Sequence, residues 1–71
     1  MYMRGWTADY VNDPYNDFEI VVEILYNDKD VGVIYKGEHG LEIKWYENNK
    51  QLVIPVEWLE LLLMEVKSKL K

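Results

Sequence analysis

Residues 52–70 read LVIPVEWLELLLMEVKSKL, and the fold turns on how this stretch is parsed. A short apolar run, Leu52 to Ile54, meets Pro55, and a strongly apolar segment follows to the C-terminus. Proline suits the first position of a helix, because the N–H it lacks would have no partner there and its φ is already helical. Glu57 and Glu60 fall in the first turns and Lys67, Lys69 and Lys71 in the last, so the side-chain charges oppose the helix dipole. Glu65 and Lys69 add an i,i+4 pair in the favourable orientation. At ~100° per residue, Val56, Leu59, Leu62, Leu63, Val66 and Leu70 fall on one stripe, which predicts a helix laid on a sheet. Trp58 falls at the edge of that stripe, and Leu61 and Met64 on the otherwise polar side. Those three exceed what one buried face can hide. They are the residues expected to carry self-association.

The sheet that the helix covers is sought upstream. Phe18 to Tyr26, FEIVVEILY, has period-two character, with Phe18, Ile20, Val22, Ile24 and Tyr26 on one side. Asn27 to Asp30 reads as a turn, and Val31 to Lys36 as a second strand with Val33 inward and Ile34 outward. Gly37-Glu38-His39-Gly40 closes a hairpin into a third strand, Leu41 to Glu47, with Ile43 and Trp45 inward. Asn48 to Lys50 turns into a fourth, Gln51 to Ile54, with Leu52 and Ile54 inward. The expected class is α+β: a four-stranded antiparallel meander followed by one C-terminal helix packed on one face. Residues 1–17 read as an acidic, aromatic N-terminal arm, and residues 18–71 as a single ββββα domain. The outward face would carry Val21, Leu25, Ile34, Val53 and Tyr46 among charges, more apolar than a face turned wholly to water.

With 71 residues and no cysteine, the chain has room for one small core and no disulfide to brace it. A partner subunit is the expected support, as a homodimer or higher homo-oligomer. The longest apolar run, Leu61 to Met64, falls far short of the ~20 residues of a membrane span. No basic segment leads into an N-terminal apolar run, so a cytoplasmic protein without membrane contact is expected. The net charge of −5 lies entirely in residues 1–30, where seven acids face Arg4 and Lys29. Residues 31–71 balance six acids with six lysines.

Catalytic chemistry finds few candidates. One serine (Ser68), one threonine (Thr7), one histidine (His39) and no cysteine cannot assemble a nucleophilic triad in one subunit. The four glycines form no phosphate loop, and Asp28-x-Asp30-x-Gly32 lacks the remaining ligands of a calcium loop. Glu19 and Glu23 share a strand face but stand about 13–14 Å apart along it, too far to act as a pair. The expectation is a protein with no catalytic residues, no metal and no cofactor.

Residues 41–63, LEIKWYENNKQLVIPVEWLELLL, resemble the C-terminal half of the positive cofactor four family of transcriptional coactivators, including its bacterial members. The resemblance rests on Ile43-Lys44-Trp45, a turn, a short apolar strand, and a helix carrying Glu57-Trp58 and Leu61-Leu62. Lys50-Gln51 stands where that family commonly has a glycine. The resemblance implies four antiparallel strands and a helix, dimerisation largely through the helix, and a sheet that binds single-stranded DNA. It makes Lys36, Lys44, Tyr46 and Lys50 the nucleic-acid-binding candidates, lysines for phosphates and Tyr46 for stacking on an unpaired base. The first functional expectation is therefore a small self-associating protein that interacts with single-stranded DNA. The alternative, drawn from the acidic and aromatic stretch Tyr2 to Asp17, is a phage-type interaction protein that inhibits a nucleic-acid enzyme as a DNA mimic, in the manner of an anti-CRISPR.

Overall fold

The computed structural model describes residues 5–15, 17–46 and 51–70. Four strands, β1 (Trp6–Asp13), β2 (Glu19–Tyr26), β3 (Lys29–Gly37) and β4 (Gly40–Trp45), precede one helix, α1 (Val56–Lys69). They form a single antiparallel meander in the order β1-β2-β3-β4. The expected α+β architecture is the observed one, but one strand has a different origin. Residues 51–55 join no ladder, although Leu52 and Ile54 still pack on the core and Val53 still faces out. The fourth strand is instead β1, from the stretch read as an arm, and it lies at the opposite edge of the sheet, beside β2.

β1 pairs with β2 without a break, from Trp6 opposite Tyr26 to Asp13 opposite Glu19. Ala8, Asp9, Asn12 and Asp13 are poor strand formers, which hides this strand from a propensity reading. Tertiary partners override propensity here. Trp6 is buried between Tyr26, with ring centroids 4.8 Å apart, and Trp58 of the helix, at 5.5 Å. Tyr10 donates its hydroxyl hydrogen to Glu65 at 3.0 Å, and the Lys69 ammonium lies 4.9 Å from the Tyr10 ring centre. Burial first, and then the Glu65 carboxylate as acceptor and as charge, push the Tyr10 hydroxyl up to about 12. The helix is thus seated on β1 at its first residue, Trp6, and at mid-strand, Tyr10.

The β2–β3 hairpin turns through Asn27 and Asp28 alone, both at positive φ (52° and 66°), the signature of a type I′ turn. β3 therefore begins at Lys29, earlier than expected. Its register then slips: Ile24 opposes Gly32 and Leu25 opposes Asp30, leaving Val31 with no opposite residue on β2. This bulge resets the alternation. Val31 and Ile34, three residues apart, both enter the core, and Val33 lies opposite Glu23 on the other face. The expected orientation of Val33 inward and Ile34 outward is reversed for this reason. Gly32 permits a close approach to β4: a Cβ there would lie 2.8 Å from the Trp45 ring and 3.1 Å from the Lys44 carbonyl oxygen.

The buried cluster joins Val22, Ile24, Val31 and Ile34 of the sheet to Trp58, Leu62, Val66 and Leu70. Burying each large aliphatic side chain contributes about 1.5–3 kcal/mol. The helix is rotated from the expected stripe, since Trp58 is 5% exposed while Val56 is 67% exposed. The Trp6 ring supplied by β1 explains the rotation. Phe18 and Ile20, also expected inward, are largely exposed. Pro55 stands one position before the first helical residue, and its carbonyl accepts the first helical hydrogen bond from Leu59 N–H at 3.0 Å. The Glu65–Lys69 pair forms at 3.7 Å.

Candidate functional site

Among the described residues no helix or further strand covers the sheet face turned away from α1. Alternation from the buried Trp6, Val22 and Ile34 places Thr7, Asp9, Val11 and Asp13 of β1 on it, with Glu19, Val21, Glu23 and Leu25 of β2. β3 adds Val33 and Tyr35, and β4 adds Glu42 and Lys44. Two rows across this face pair carboxylate with carboxylate: Asp9 opposes Glu23, and Asp13 opposes Glu19. Like charges directly opposite on adjacent strands destabilise a sheet by roughly 0.2–1 kcal/mol. Partial burial, then Asp30, then Asp9 hold the Glu23 carboxyl above its ordinary value. Six carboxylates, those of Asp9, Asp13, Glu19, Glu23, Asp30 and Glu42, thus share the face with Lys44.

A shallow hollow of about 410 Å³ sits among them, lined by Asp13, Tyr15, Val21, Val33, Tyr35, Lys44 and Tyr46. Val21 is buried although it lies outside the main core. Tyr15 is held by a turn in which its N–H donates to the Asp13 carboxylate at 2.9 Å, and its ring is 97% exposed. Tyr46 is tied to the sheet by its N–H, which donates to the Val31 carbonyl at 2.9 Å. Burial, and then the Glu42 carboxylate accepting from its hydroxyl, hold Tyr35 above the usual phenol range. The Glu42 carboxylate also occupies the space that a Cβ at Gly37 would need.

The candidate nucleic-acid residues divide between the two faces. Lys44 and Tyr46 meet in the hollow. Lys36 follows Ile34 in the alternation and opposes Leu41, which puts it on the helix side of the sheet. Lys50 lies outside the described residues. Of the self-association candidates, Trp58 is committed to the chain's own core, whereas Leu61 and Met64 are 43% and 67% exposed. Among the described residues no three histidine, aspartate or glutamate side chains converge as metal ligands. No helix among them is long and apolar enough to cross a membrane.

Sequence reading missed Asp9, Asp30, Tyr15 and Tyr35 as members of one face. The spacing of Asp9 and Asp13 is even, as a shared strand face requires, but that signal counts only once residues 6–13 are known to be a strand. Comparison with protein-family models, curated proteins and solved structures finds no match to this chain.

Proposed function

We propose that this protein is a binding module that offers its open sheet face to a cationic surface on a protein partner, as a DNA mimic does to a nucleic-acid enzyme in the cytoplasm. The observation that carries the reading is the two pairs of facing carboxylates, Asp9 with Glu23 and Asp13 with Glu19, on one face. A sheet selected for stability alone gains by replacing one member of each pair, since every local choice then agrees with the fold. A partner's arginines and lysines would neutralise the repulsion on docking and would steer the encounter at low salt. Tyr15, Tyr35 and Tyr46 add amphipathic contact area within the acidic frame.

A second reading, contact with single-stranded DNA, is favoured by one observation: Lys44 and Tyr46 share the hollow, where a phosphate contact and a stacked base would be neighbours. The surrounding carboxylates weigh against it, because phosphate affinity is governed by local positive charge.

One titration separates the two. Labelled oligoarginine and labelled oligothymidine are each added at low and moderate salt. We expect salt-sensitive oligoarginine binding that weakens in the double variant Asp13→Asn, Glu19→Gln and persists in the helix variant Glu57→Gln, Glu60→Gln. Equal weakening in both variants overturns the face assignment. Oligothymidine binding abolished by Lys44→Ala would install the second reading instead.

A further inference from the structure

The outer edge of β1 is the most unusual surface left over. Among the described residues β1 pairs with β2 alone, over eight residues without a bulge, and its stretch Trp6–Asp13 contains no proline and no lysine, its charges being Asp9 and Asp13. Sheet edges in soluble proteins are ordinarily interrupted by such devices, because an unpaired row of N–H and C=O groups is a template for another strand. Beside this edge runs a groove of about 550 Å³ lined by Trp6, Thr7, Ala8, Trp58, Leu61 and Leu62, with Glu65 at its end. One wall is a strand edge and the other the exposed Leu61 flank of α1. That is the shape of a slot for an extended strand.

We propose that the occupant is the same edge of a second copy, with β1 pairing antiparallel to β1 about a two-fold axis at Ala8. Charge and parity narrow the register, and the groove lined by Ala8 places it. A pairing centred on Asp9 sets that carboxylate against its own copy, which is repulsive. A pairing centred between residues sets the core face of one sheet against the open face of the other, and buries neither. Centring on Ala8 places Asp9 opposite Thr7 and Trp6 opposite Tyr10, so no carboxylate within Trp6–Tyr10 meets another. It also sets the groove on the axis, where the small Ala8 side chains let the two helices approach and each Leu61 reach across. Both helices then lie on one side of a continuous sheet and both acidic faces on the other. Two copies thereby double the acidic surface without bringing its facing pairs closer.

The sequence contains no cysteine, so a single introduced thiol reports the register cleanly. Directly opposed antiparallel residues have Cα atoms about 4.5–5.5 Å apart, within the span a disulfide bridges. We expect the unmodified chain to sediment as a dimer at micromolar concentration, and Leu61→Asp to halve the measured mass with an unchanged far-UV spectrum. On oxidation with diamide, Ala8→Cys should cross-link nearly to completion and Asn12→Cys should not. A monomeric mass for the unmodified chain overturns the proposal and leaves the slot to a foreign strand. Equal cross-linking at both positions overturns the register. Where Leu61→Asp fails to fold, the comparison of the two cysteine variants decides alone.

Discussion

Glu23 illustrates how one residue can work against its own fold. It stands opposite Asp9, feels Asp30, and is partly withdrawn from water, so its proton is held more tightly in the folded chain than in the unfolded one. An acid whose folded pKa is raised costs stability above that raised value and none below its ordinary value of 4.5. Stability attributable to this site therefore falls as pH rises through the interval between the two. Glu23→Gln should raise stability at pH 7 by on the order of 0.5 kcal/mol, a typical figure for removing one of two facing like charges. Thermal melts of both proteins across pH 4 to 7 check this, and the difference should vanish at the acid end. A variant less stable than the parent at neutral pH would show that Glu23 has a favourable partner on the face.

At the scale of the element, β1 decides more than its composition suggests. Trp6 bridges Tyr26 and Trp58, and Tyr10 anchors Glu65, so the strand holds the helix as well as extending the sheet. A residue read as part of an arm is thus in the core. Truncating a buried large aromatic to alanine costs about 3–5 kcal/mol, close to the whole stability of a domain this small. Trp6→Ala, or removal of residues 1–13, should therefore abolish the cooperative melt followed by far-UV circular dichroism. Retention of a cooperative melt in the shortened chain would return β1 to the status of an appendage. β3 teaches the complementary lesson, because a single bulged residue, Val31, exchanges the faces of Val33 and Ile34.

For the whole molecule, net charge and its placement matter together. The charge of −5 belongs to residues 1–30, and folding gathers much of it onto one face through β1, β2 and the start of β3. Screening by salt should then stabilise the unliganded protein, since repulsion between exposed carboxylates fades as the Debye length falls to ~3 Å at 1 M. Its melting temperature should rise between low and moderate sodium chloride, while oligoarginine binding weakens over the same range. A melting temperature indifferent to salt would mean that the face is already neutralised within the chain.

Local chemistry alone determined the C-terminal helix, the three hairpin-linked strands before it and the α+β class. Apolar spacing, Pro55, the Asn27-Asp28 turn and the paired glycines around Glu38-His39 act over a few residues, and a linear reading captures them. Only the tertiary structure decided that residues 6–13 are a strand and 51–54 are not, that Ile34 and not Val33 is buried, and that Lys36 and Lys44 part company. Those outcomes depend on pairings that a linear pattern does not show, chiefly Trp6 with Trp58 across most of the chain and the slipped pairing of Ile24 with Gly32 within the β2–β3 hairpin. A pattern of period two predicts which residues share a face only while the register is unbroken, and one residue of β3 bulged out of the β2 ladder was enough to turn the face over.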